Sequence, residues 1–118
     1  MTTGAKVELQ CLEELGDPEL VDELVEMFVA LSAEQVVEMR NAIYGSDADL
    51  LAKAAHKLKG ACLGLYATTA AELTAVIERS GKDGTLGALP GRLDDLETAL
   101  EETIAQMRAY IARRAAPR

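Results

Sequence analysis

Leu93, Leu96, Leu100, Ile104, Met107 and Ile111 recur at intervals of three and four residues. At about 3.6 residues per turn, this lays one apolar stripe along roughly five turns of helix. Such a helix is stable only when its stripe is covered, and short loops cover it with antiparallel neighbours. The rest of the chain supplies those neighbours. Gly16, Gly45-Ser46, Ala67-Thr68-Thr69 and the stretch GKDGTLGALPG from Gly81 to Gly91 punctuate it. Between them the sequence reads with helical period, predicting a short leading helix and four longer ones. Aromatic residues are only 3% of a chain that is 49% apolar, so the core is aliphatic and alanine-rich, which favours close-packed helices over short strands. The expected fold is all-α: an antiparallel four-helix bundle with a short additional N-terminal helix. At 118 residues the chain fits one domain over 1–118, with its core at about 7–114.

Local signals place the helix ends. Asp17 reads as an N-cap with Pro18 at the first helical position, opening a helix that runs unbroken to Tyr44. Ser46 with Asp49, and Thr69 with Glu72, have the Ser/Thr-x-x-acid spacing of a capping box and predict two further starts.

Charge and composition exclude several functions. The formal net charge is −8, and Arg108, Arg113, Arg114 and Arg118 are too few for a nucleic-acid footprint against it. The opening MTTGAKVELQ lacks the basic start and apolar run of a secretory signal, and no window approaches the ~20 apolar residues of a membrane span. A cytoplasmic monomer is expected. Cys11 and Cys62 have no metal-ligand spacing and read as small apolar side chains. A phosphate-binding loop ending at Gly81-Lys82 would need a glycine where Val76 stands. The acidic pairs Asp94-Asp95, Glu101-Glu102 and Asp47 with Asp49 read as a solvated face and helix-start charges.

The chemistry concentrates in AHKLKGACLGLY, residues 55–66, which holds the single histidine. Leu51, Ala54, Ala55, Leu58, Cys62 and Leu65 cluster on the core side of this helix, and His56 falls roughly 160° from their centre. Lys59 and Gly60 lie one turn on, Ala52 and Lys53 one turn back, and Leu63 two turns on. Gly60 and Gly64 each cost a helix about 1 kcal/mol relative to alanine, and they leave bare backbone beside the imidazole for another molecule to approach. A neutral imidazole is a nucleophile near neutral pH. An ammonium one turn away suits the charge on phosphoryl oxygens. With no nucleotide fold, no Mg²⁺ cluster and no second histidine, His56 reads as a station for a phosphoryl group supplied by other machinery.

These residues resemble the histidine-containing phosphotransfer (HPt) family of two-component phosphorelays, whose motif H-x-L-K-G lies on a helix of a four-helix bundle. His56, Leu58, Lys59 and Gly60 match it residue by residue. AVIERSGKDG, residues 75–84, looks like the family's downstream helix end, and Phe28 sits where the family has an apolar aromatic. The likeness spans roughly residues 7–110. Ala61 and Cys62 stand where serines are common, and Tyr66 where a glycine often follows; Gly64 is read as supplying part of that openness. The resemblance implies that His56 accepts a phosphoryl group from a receiver-domain aspartyl phosphate and passes it to another receiver aspartate. Lys59 would stabilise the phosphoryl group, and Gly60 would give access. Implied partners are response-regulator receivers and a hybrid sensor histidine kinase, with Mg²⁺ on the receiver and no cofactor of the chain's own. Such a chain is a phosphoryl carrier without autonomous kinase or phosphatase activity.

Ala52, Lys53, Lys57, Leu63, Gly64, Met27 and Leu31 form the expected partner-binding set. Lys57 is a rim charge aiding encounter, and Leu20, Met27 and Leu31 form a second apolar stripe open to a partner. The alternative is a docking module that uses His56 only as a contact. It leaves a nucleophile beside a cation without a purpose.

Overall fold

The computed structural model describes residues 5–115; the first four residues of the MTTG start and Arg118 lie outside the described residues. A 3₁₀ helix, Leu9–Leu15, leads into α1 (Pro18–Tyr44), α2 (Ala48–Gly64), α3 (Thr68–Asp83) and α4 (Leu89–Ala115). No strand occurs among the described residues. Cross-helix pairs give the direction of each neighbour: Arg40 meets Glu97 while Glu26 meets Arg108, so α1 and α4 are antiparallel. Glu78 meets Lys59 while Gly81 lies on Ala48 and Ala52, so α2 and α3 are too.

The apolar stripes meet in one core. Val21, Val25 and Met39 of α1, Leu51 and Leu58 of α2, Ile77 of α3, and Leu93, Leu96 and Met107 of α4 are all buried, with Leu12 of the leading 3₁₀ helix against them. The whole predicted core face of α2, from Leu51 to Leu65, is buried. Of the α4 stripe only Ile104 is partly exposed. At about 25 cal/mol per Å² of apolar surface removed from water, these side chains dominate the stabilisation.

Helix ends agree with the sequence where a short-range signal stands alone. The Asp17 carboxylate accepts from the Leu20 backbone N–H (2.9 Å), and Pro18 follows at the first turn. Both predicted capping boxes fail. α2 is capped by Asp47, whose side chain accepts from Leu50 N–H (3.1 Å), because Ser46 is used in the preceding turn at φ +53°. α3 starts from Ala67 without a side-chain cap. Thr69 instead accepts from Lys6 N–H through Oγ1 (2.7 Å) and donates its own N–H to Lys6 O (3.2 Å). The predicted linker from Gly81 to Gly91 is also shorter: α3 continues to Asp83, and α4 begins at Leu89 with Pro90 in its first turn, where a missing N–H costs nothing.

Two backbone positions shape the α2–α3 unit. Tyr66 sits at φ +60° in the turn between the helices, a conformation that costs a residue with a Cβ about 1–2 kcal/mol. A glycine would suit this position for its backbone freedom, so openness, the role assigned to Gly64 from the sequence, is not what distinguishes it. Tyr66 is held there by its carbonyl, which accepts from Glu8 N–H (3.0 Å), and by packing of its ring against the core. Gly81 is buried on α2, and a Cβ there would lie 3.0 Å from Ala52 N and 3.2 Å from Ala48 O, both backbone atoms that cannot swing aside. A Cβ at Gly60 or Gly64 would meet nothing within 4 Å.

Gly81→Val is therefore expected to cost about 2 kcal/mol through overpacking, lowering the midpoint of a thermal melt by roughly 6–12 °C. Gly60→Ala is expected to stabilise by up to about 1 kcal/mol. Equal effects at the two positions would contradict the close α2–α3 approach.

Candidate functional site

α2 carries His56 outward by construction. Its core face fixes the rotation of the helix, which leaves the imidazole side chain 71% exposed. Beside it, α3 contributes a residue that the motif does not contain. The buried positions of α3 are Ala70, Ala71, Thr74, Ile77, Glu78 and Gly81, so Glu78 occupies a place in the stripe where an apolar side chain is the norm. The small Gly81–Ala52 contact brings α3 close enough for the Glu78 carboxylate to reach α2.

Glu78 is the hub of the site, its side chain only 6% exposed. Oε1 accepts from Lys59 Nζ at 2.7 Å. Oε2 accepts from His56 Nδ1 at 2.9 Å and pairs with Lys82 Nζ at 3.3 Å. Burial pushes this carboxyl's pKa up, but the bonds from Lys59, Lys82 and His56 outweigh it and hold it at about 2, below the ordinary 4.5. A carboxylate that is ionised at neutral pH only accepts, so the bonded imidazole nitrogen carries the proton. Nδ1 is therefore the N–H, and in the neutral ring the lone pair is on Nε2.

The expected site residues fall into two clusters, with four more placed singly. His56, Ala52 and Lys53 line one hollow of about 340 Å³ together with Glu78 and Lys82. Gly64, Met27 and Leu31 line an apolar groove of about 440 Å³ between α1 and α2, with Phe28 and Leu24 in its wall. Gly60 is exposed between the two, its Cα bare. Lys57 lies on the α1 side near Glu34 and Glu38, and Leu63 is 60% exposed outside the groove. Lys59, expected to stabilise the phosphoryl group, is paired with Glu78 and only 29% exposed. Glu78 and Lys82 were not among the expected site residues. The available signal was a glutamate at an apolar position of the α3 stripe. A larger hollow of about 770 Å³ between the start of α1 and the end of α4 is lined by acidic residues and Arg108, away from His56. Cys62 is buried, and that burial, only partly offset by a hydrogen bond with Thr74, pushes its thiol up to about 12, making it a poor nucleophile.

The bundle thus presents an exposed histidine whose Nδ1 is bonded to a buried carboxylate. The family model of the Hpt domain matches residues 23–110. The chain belongs to the Hpt domain family. Hpt domains carry phosphoryl groups on histidine in phosphorelays, as carriers and not as catalysts. The crystal structure of histidine-containing phosphotransfer protein B (HptB) from Pseudomonas aeruginosa PAO1 is similar over 89% of this chain and 90% of its own, with a TM-score of 0.81 at 24% identity. That likeness speaks for the Hpt fold. No curated protein matches the sequence. Among the described residues, no helix of this Hpt domain is long and apolar enough to cross a membrane.

Because the folded Glu78 pKa is depressed, its contribution to stability is complete above about 4.5 and is lost as pH falls towards 2. Glu78→Gln is expected to destabilise the domain by on the order of 1–3 kcal/mol at neutral pH. In urea titrations the gap to the parent should close as pH falls to about 2–3. A gap independent of pH would mean that the ionised carboxylate is not what the three donors hold.

Proposed function

We propose that this Hpt domain is a phosphorelay intermediate: His56 takes a phosphoryl group from the aspartyl phosphate of a receiver domain and passes it to the aspartate of another. The observation that carries this reading is the exposed imidazole bonded through Nδ1 to buried Glu78. With Nδ1 protonated, the Nε2 lone pair attacks phosphorus in line. The N–P bond forms as the P–O bond to the aspartate breaks, and the aspartate leaves as a carboxylate. No proton moves. The ring ends as an imidazolium, and Glu78 lies against the nitrogen that shares its charge. The return step reverses these bonds. The receiver supplies the aspartate and Mg²⁺, and the Hpt domain supplies a positioned nucleophile.

Docking follows from the surface around the nucleophile. Gly60 removes side-chain bulk one turn from His56, and the groove at Met27, Leu31 and Gly64 takes an apolar helix face of the receiver. Met27 is 67% exposed at the groove's edge, a place for a large apolar contact that costs the free domain nothing to lose. The donor of the first phosphoryl group is the receiver of a hybrid sensor histidine kinase.

Incubation with a phosphorylated receiver is expected to label His56 with an acid-labile, base-stable phosphoryl group on Nε2, detected by mass spectrometry and ³¹P NMR. His56→Gln should abolish the label while leaving the thermal melt nearly unchanged, since its side chain is largely solvated. Receiver binding without labelling of the parent domain would make it a docking module instead. Met27→Asp is expected to weaken receiver binding at least roughly tenfold, or about 1.4 kcal/mol, in a calorimetric titration with transfer chemistry intact at saturating receiver. Unchanged affinity would place the docking surface elsewhere.

A further inference from the structure

The two lysines on Glu78 are not equivalent. Lys59 holds Oε1 at 2.7 Å with 29% of its side chain exposed. Lys82 is four residues along the same helix from Glu78, 67% exposed, and at 3.3 Å it shares Oε2 with His56. Exposed pairs of that kind contribute little to stability and are easily exchanged. The hollow that has the imidazole for a wall is lined by Lys82 and Lys53, with Ala52 leaving its floor uncrowded; Lys59 is not part of its lining.

We propose that Lys82 changes partners when His56 is phosphorylated: its ammonium leaves Glu78 Oε2 for an oxygen of the phosphoryl group on Nε2, while Lys59 stays on Oε1. This rests on the phosphotransfer reading above. Phosphorylation with Nδ1 still protonated makes the ring cationic, so two cations then compete for Oε2. The imidazolium is tethered there by the fixed geometry of α2, whereas the lysine is free to move. The same event places about two negative charges beside the hollow, within the surroundings of a mobile lysine. Like-charge repulsion and the new attraction therefore act on Lys82 in the same direction. Lys59 is a positioning residue, holding Glu78 for His56, and Lys82 is the cation that meets the phosphoryl group. No covalent step is added to the transfer.

Potassium phosphoramidate phosphorylates exposed histidines without a receiver and separates this inference from any docking requirement. The domain labelled this way is expected to show a large shift of the Lys82 side-chain ¹³Cε and ¹⁵Nζ resonances and a small one at Lys59. In exchange with one receiver, Lys82→Met is expected to move the equilibrium about five- to tenfold away from phosphohistidine, a change within the net range of one intramolecular hydrogen bond. Its melting temperature should fall by less than that of Lys59→Met, and Lys82→Arg should recover most of the loss. Lys59→Met is expected to lower the melting temperature as well as the transfer rate. An unchanged equilibrium in Lys82→Met, or a dominant shift at Lys59, overturns the exchange while leaving phosphotransfer standing. A parent domain labelled at His56 by neither phosphoramidate nor receiver overturns both.

Discussion

A carboxylate with one-sixteenth of its side chain exposed is tolerated in this bundle because three donors converge on it from two helices. Removing charge from water is among the more costly steps in folding, and Glu78 recovers that cost only while α2 and α3 stay at their close spacing. The spacing depends in turn on Gly81, which has no Cβ where Ala52 and Ala48 present backbone. Helix packing and site chemistry are therefore one constraint. A bundle in which α3 stood farther off would leave His56 without a fixed tautomer and Glu78 without Lys59.

The same arrangement suits the phosphotransfer proposed for this domain, whose family carries phosphoryl groups. The imidazole is oriented from beneath by Glu78 and open above, so on the proposed reading the nucleophile is prepared before a partner arrives. Bare backbone at Gly60 and the apolar groove between α1 and α2 leave the approach to the partner's shape. The charge around the histidine is held by pairs of unequal strength, a tight one through Lys59 and a loose one through Lys82. On the exchange proposed for Lys82, such a site gains a negative group without rebuilding its base.

Among the described residues, backbone strain falls in the turns. Ser46 and Tyr66 take positive φ at the two ends of α2, where the chain must reverse within a few residues. The segment from Lys6 to Glu8 ties the second of these turns down through Thr69 and the Tyr66 carbonyl. A polar residue that the sequence presents as a helix cap is thus diverted to hold a distant piece of chain. Capping-box spacing is a local signal, and it loses where a tertiary hydrogen bond competes for the same hydroxyl.

The sequence alone determined the helical class, the bundle, the core faces of α2 and α4, the Asp17-Pro18 start, and the outward direction of His56. Each follows from a period of about 3.6 residues or from a contact within one turn, and neither needs to know where other helices lie. The H-x-L-K-G motif at His56 also pointed to the Hpt family that residues 23–110 match. Tertiary structure decided what surrounds the histidine. Glu78 lies 22 residues away, and its role depends on the register of α3 against α2, set by a glycine whose missing side chain leaves no mark in a periodic pattern. Lys59 and Lys82 likewise acquire different bonds and exposures only once that register is formed, because an ion pair is a matter of distance in space, which local periodicity does not encode.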